Sequence, residues 1–141
     1  MFLVTEQAIA SHLEQALPAG VRVFKAAELS GISDKAQFTP AVHVIFGGYS
    51  PTQETAAGAI QEVETRWYIV VAVRHARGNA ATHEDADPLL DTVFHTLGGW
   101  RPSRGMTPLK LADGPRPLYE SGFAYYPLVF TTRQTLRSGA A

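Results

Sequence analysis

Hydrophobic and polar positions along this chain follow two periods, one helical and one extended. Near the N-terminus Ile9, Leu13 and Leu17 repeat at i, i+4 and i+8, with Ala16 beside them. That is the apolar stripe of a helix. Thr5 is placed to cap it, Glu6 sits in the first turn where the helix dipole favours an anion, and Pro18-Ala-Gly20 ends it. Val21 to Phe24 alternates as a short strand, and a helical turn around Ala26–Leu29 fits the mixed stretch that follows. Ala41 to Phe46 is extended, with Val42, Val44 and Phe46 on one face and His43 and Ile45 on the other. Gly47-Gly48 interrupts it. Residues 49–60 have weak periodicity and small side chains, and they read as an extended flap joining two strands.

Glu62 to His75 carries the strongest pattern. Val63, Thr65, Trp67, Ile69, Val71 and Val73 form one face; Glu62, Glu64, Arg66, Tyr68, Val70, Ala72 and Arg74 form the other. Its first half is amphipathic and its second half apolar on both faces, so the strand starts exposed and ends covered on both sides. Arg77–Ala80 reads as the loop after it. A second helix is expected from Asp87-Pro88, a good cap followed by a proline suited to the first helical position. Leu89, Leu90, Val93, Phe94 and Leu97 make its buried stripe, and Gly98-Gly99 ends it. Residues 108–111 and 122–135 are the closing strands, with Pro127 placed beside an edge, a bulge or a non-bonded position. The order α-β-β-β-α-β-β predicts an α+β fold: a largely antiparallel sheet with two main helices packed on one face. Residues 1–136 form one domain, and 137–141 are expected to fray.

Composition narrows the function. The 141 residues include 45% apolar and only 18% charged side chains. Roughly a quarter charged is usual for a soluble domain, so part of the surface is expected to be covered by a partner. Twelve basic and thirteen acidic residues argue against a generally basic nucleic-acid binder. The absence of cysteine excludes disulfides, thiol catalysis and cysteine-bound zinc. No basic, apolar leader opens the chain, and its longest strongly apolar run, Trp67–Val73, is far short of the ~20 residues of a membrane helix. A soluble, cytoplasmic protein is the expectation.

Candidate chemistry is sparse. His83-Glu-Asp-Ala-Asp87 has metal-ligand residue types, but its spacing matches no metal motif, and it reads as a solvated loop before a helix. His43 lies mid-strand, where a hydrogen-bonded or solvent-facing role outweighs that of a base. His75, with Arg74 and Arg77, reads as a polar strand end before an anion site. Glu62 and Glu64 share the more polar half of their strand, whereas acid–base work requires a desolvated carboxylate. No catalytic, cofactor-binding or metal-binding residue is assigned, and no cofactor is expected. Charge, however, is segregated. Residues 1–91 carry six basic and eleven acidic side chains; residues 92–141 carry six basic and two acidic ones. Arg101, Arg104, Lys110 and Arg116 surround the turn after the second helix. An acidic protein surface is their natural partner, including the acidic part of another copy, and head-to-tail contact of that kind builds rings or filaments. The expected interface residues are Tyr49, Gln53, Glu54, Glu62, Glu64, Arg66, Arg101, Arg104 and Arg116.

The order of these pieces is familiar. A capped helix precedes the double-glycine strand 41–46 and the long strand ETRWYIVVAVRH (64–75). A helix then ends in LGGWRP (97–102), and FAYYPLVFTTRQT (123–135) closes the chain. Over about residues 3–135 this resembles the tail terminator proteins of tailed bacteriophages, in particular the small terminator family of Mu-like phages and prophages. The resemblance implies a non-enzymatic virion protein that forms a hexameric ring on the last ring of tail-tube protein. Such a ring stops tube growth and offers a surface to the head–tail connector protein, while phage DNA passes through the lumen without specific binding and no membrane is involved. It also implies a place in the virion tail, with assembly in the host cytoplasm. Two other readings stand beside it: a head–tail joining or tail-completion protein of similar fold, and a small ligand-binding or enzymatic domain built around His43, His75 and residues 83–87.

Overall fold

The computed structural model describes residues 1–26, 38–75 and 79–140. Helix α1 spans Phe2–Ala16 and is followed by β1 (Arg22–Ala26) and β2 (Ala41–Thr55). A tight turn at Ala56–Gly58 leads into β3 (Ile60–Arg74). Helix α2 covers Asn79–Leu97. Strands β4 (Lys110–Ala112), β5 (Leu118–Glu120) and β6 (Phe123–Arg137) complete the chain. The sheet runs β1-β2-β3-β6-β4, with β5 also on β6. Only the β1–β2 pair is parallel. The α+β fold and its element order are as the sequence predicts, with β5 as one more short strand.

Both helices lie on one face of the sheet. Ile9 and Leu13 from α1, Leu17 just after it, and Leu89, Val93 and Leu97 from α2 share a core with Val42, Val44, Trp67, Ile69, Val71 and Phe130. The alternating faces assigned to β3 are the observed ones. Trp67 is fully enclosed; its Nε1 donates to Thr65 Oγ1 at 3.0 Å, and its ring meets Phe46 at 5.1 Å. A smaller cluster (Ala41, Ile45, Val70, Ala72 and Tyr125) lies on the opposite face. This is why the second half of β3 is apolar on both sides.

Several boundaries differ from expectation. Helix α1 starts at Phe2 with Met1 at its cap position, so Thr5 is not the cap and Glu6 is not in the first turn. Thr5 is instead buried inside the helix, with its hydroxyl toward Met106 Sδ at 3.6 Å. Ala16 is exposed, and Ala10 takes the buried place. Helix α2 begins at Asn79, two turns before Pro88, so residues 83–87 are helical and not a loop. Its stripe extends back through Ala86 and Thr82, both buried but too small or polar to stand out in sequence. Pro88 is tolerated on the exposed side, where the carbonyl left without its N–H donor can be solvated. Phe94, expected inside, is 49% exposed, because it sits one residue past Val93 at the rim of the stripe. The turn expected at Ala26–Leu29 and part of the Arg77–Ala80 loop lie outside the described residues; Asn79 and Ala80 open α2. Pro127 faces Val70 across β3, and its carbonyl lies on the side of Gly114. Its missing N–H therefore points into the gap between β4 and β5 and costs no ladder bond.

The largest difference concerns residues 49–60. They are not a flap between strands but part of the strands themselves: β2 continues to Thr55 in antiparallel register with β3, which pairs in turn with β6 as far as Arg137. Register shifts between Phe46 and Tyr49 and between Pro51 and Gln53 switch which side chains face which way. These bulges break the alternation on which a strand assignment from sequence depends. Gly47-Gly48 makes the first of them possible. A Cβ on Gly47 would lie 2.5 Å from the Tyr68 ring, and Gly48 has φ +101°. The result is a three-stranded arm extending beyond the helices.

Candidate functional site

The outer strand of the arm is exposed along its whole length. From Tyr49 to Ala57 every residue of β2 and its turn faces solvent. Its length from Phe46 to Thr55 is about 25–30 Å at normal strand rise. Ala56 and Ala57 both have positive φ (52° and 55°), and Gly58 follows at 91°. For alanine that conformation costs roughly 1–2 kcal/mol per residue. A strained, small, apolar turn at an exposed tip is the kind of feature that marks a functional segment.

Of the expected interface residues, the structure gathers Tyr49, Gln53, Glu54, Glu62 and Glu64 on this arm. Tyr49 is 59% exposed and stacks on Phe2 at 5.5 Å, joining the arm base to α1. Gln53 stands opposite Glu62, and Glu54 opposite Gln61. Glu62 and Glu64 are not free for a partner's cation: Arg133, facing Glu64 across the strands, lies 3.8 Å from Glu62 and 3.4 Å from Glu64. Thr52 also donates to Glu62 at 2.7 Å. Arg66 sits at the arm base and donates to the Asp113 carbonyl at 3.4 Å. Arg133 was missed in the sequence because its role depends on register, which composition does not reveal.

The basic segment divides in two. Arg101 and Arg104 lie exposed on the turn from Trp100 to Met106, which is anchored by His12 stacked on Trp100 at 4.0 Å and by the Met106–Gln134 bridge. Arg116 lies exposed on the β4–β5 connection, the same connection that Arg66 touches through Asp113. Among the described residues, none of these three arginines has an ion-pair partner. The sequence also gave no signal for a set of exposed apolar side chains: Leu3 and Val4 on α1, Phe94 on α2, and Leu111, Leu118 and Tyr119 near β4 and β5. Phe94 and Leu111 border a groove of about 600 Å³ between the end of α2, β4 and β6.

The histidines do not converge on one pocket, and none lines that groove. His75 Nδ1 is 2.8 Å from Thr82 Oγ1, and its ring meets Tyr119. His83 Nε2 reaches the same tyrosine's hydroxyl at 3.5 Å. Burial raises the Tyr126 hydroxyl above the usual tyrosine range, with Tyr119 and Asp87 adding to the effect. His43, which the sequence reading made hydrogen-bonded or solvent-facing, is buried and has no hydrogen bond at Nε2 among the described residues. It is 6% exposed and stacks on Phe24 at 5.4 Å. Burial lowers its pKa from 6.5 to about 4. Among the described residues no three His, Asp or Glu side chains are placed to hold a metal ion, and no helix is long and apolar enough to cross a membrane.

The His43 shift has a testable consequence. Between pH 6.5 and 4 the unfolded chain takes up a proton on this ring and the folded one does not, so stability falls as pH falls through that window. Above pH 6.5 the ring is neutral in both states and contributes no pH dependence. Thermal midpoints of the wild-type chain and His43→Leu should therefore run parallel above pH 7, and the wild-type midpoint should fall relative to the variant's on acidification. Parallel curves down to pH 4 would contradict a buried, neutral His43.

The described residues thus present an exposed arm, a basic turn without ion-pair partners among them, and scattered exposed apolar side chains. The model of the phage tail terminator protein family matches residues 1–140, and the chain belongs to that family. Comparison with curated proteins finds no match. Among solved structures, a chain from the virion of a native gene transfer agent particle superposes with a TM-score of 0.58. It is 17% identical, and the match covers 92% of this chain and 93% of that one. At that identity the likeness is one of fold. The family makes this a tail component of a phage-type virion.

Proposed function

We propose that this chain is a tail terminator that acts as a ring of identical subunits, expected to be a hexamer. The ring caps the tail tube, stops its elongation and presents the docking surface for the head–tail connector, with DNA passing through the lumen. No catalysis is assigned to it. The observation that carries the reading is the arm. In a chain of the tail terminator family, a three-stranded projection packs at its base on Met106 and Thr107 and exposes its outer strand and tip to solvent. An element of that length is stable in one chain and useful only against another. The uncompensated Arg101 and Arg104 supply a second surface, suited to the acidic side of a neighbour. The near-neutral net charge of −1 suits a lumen that DNA must slide through without sticking. The experiment is to add the purified chain to growing tail tubes, where it should arrest growth and remain at one end. A head–tail joining protein of the same fold would bind the head side and leave tube growth unchanged.

A further inference from the structure

Two exposed features of the described residues are complementary. One is the arm tip, Ala56-Ala57-Gly58-Ala59, a narrow apolar knob whose first two residues are exposed. The other is the groove at the end of α2, about 600 Å³ in volume. Its floor is Gly98-Gly99, with Leu109 beneath and Phe94 and Leu111 as half-exposed walls. Gly99 has φ +82° and no atom within 4 Å of the place a Cβ would occupy, so the floor opens onto empty space. Two backbone bonds of 2.8 Å, Gly99 N–H to Leu109 O and Leu109 N–H to Trp100 O, hold that floor rigid. Beside it β4 pairs with β6 and forms an end of the sheet order, with Lys110 and Leu111 exposed.

We propose that the alanine tip of one copy's arm seats in the Gly98–Leu111 groove of the next copy. Shape matches, since side chains no larger than methyl meet the open surface at Gly99, beside the Phe94 ring that covers Gly98. Charge matches as well. Residues 41–65 contain no lysine or arginine, and the exposed Glu54 stands beside the tip. The groove is flanked by exposed Lys110, with Arg101 and Arg104 on the adjoining turn. Insertion into the same chain is ruled out by the sheet. Glu64 and Arg133, at the base of the arm, already line the groove, and the tip lies several residues farther out. Folding it back would break the β2–β3–β6 ladders. The contact is therefore between copies and joins unlike surfaces, which makes it head-to-tail and able to close a ring. This rests on the ring reading and adds to it which surfaces meet.

A chain without cysteine permits a direct test. Ala57→Cys and Leu111→Cys are prepared separately, both at exposed positions, then mixed and oxidised with and without tail tubes while native mass is followed. The expected result is a disulfide between the two different variants in the assembled fraction, with little linkage within either variant alone. Leu111→Glu should keep the monomer's thermal midpoint and raise the concentration needed for half-assembly at least tenfold. Assembly without 57–111 linkage, or with 57–57 linkage dominant, would overturn the arm-in-groove contact and leave the ring standing. A chain that stays monomeric at high concentration and on tubes would overturn both.

Discussion

Replacing Trp67 by alanine is expected to cost about 3–5 kcal/mol, the range for removing a large, fully buried aromatic side chain. The indole has no exposed surface and lies at the centre of the sheet, under both helices. Its loss removes the contact with Phe46 and empties a volume bounded by rigid strands, which cannot collapse to fill it. It also removes the donor to Thr65 Oγ1, although that hydroxyl keeps its own acceptor, the Thr132 carbonyl, at 3.4 Å. Since domains of this size have about 5–15 kcal/mol in all, the variant should be close to unfolding at physiological temperature. Urea unfolding would show a lower midpoint at unchanged slope. Trp67→Phe keeps most of the ring and should lose much less. A loss below about 1 kcal/mol for Trp67→Ala would mean that this face of β3 is not the core.

Reversing two charges should have its main effect on assembly and little on folding. Arg101→Glu with Arg104→Glu changes exposed side chains that have no ion-pair partner among the described residues, so the thermal midpoint of the monomer should stay nearly unchanged. Against an acidic neighbour the same pair turns attraction into repulsion. Like charges brought together at an interface cost several kcal/mol, and 1.4 kcal/mol is already tenfold in affinity. Assembly should therefore require more than tenfold higher concentration, and its salt dependence should flatten or invert. Salt should weaken wild-type assembly, because exposed pairs are screened over about 10 Å at 0.1 M. Unchanged assembly of the double variant, measured by sedimentation across salt concentrations, would remove this turn from the interface.

Much of the fold was legible because its strongest elements follow simple periods. The stripe Ile9, Leu13, Leu17 and the two faces of β3 depend only on burial alternating with exposure, and both are as read. The arm was not legible, because two bulges invert the alternation within a dozen residues and because its exposed strand has no apolar face to announce it. The early start of α2 was hidden for a related reason. Thr82 and Ala86 are fully buried without being strongly hydrophobic, and Asp87-Pro88 imitates a helix start. At the candidate interface, residue types were a fair guide to which side chains are exposed and a poor guide to which are free. Glu62 and Glu64 have the same chemistry as Glu54, yet register places Arg133 across from them and leaves Glu54 open. Phe94 and Leu111 could not be identified at all, since only the tertiary fold puts them on opposite walls of one groove.

The central claim is that this chain ends a growing tail tube. It is tested most directly by the length distribution of tail tubes, followed by electron microscopy after the chain is added to tube protein during elongation. The account predicts that tubes stop at the length reached on addition, with this protein as a ring at one end. It also predicts that the Arg101→Glu, Arg104→Glu variant fails to stop them at the same concentration. Tubes that continue to lengthen at the uninhibited rate, with the wild-type chain unbound, would contradict it.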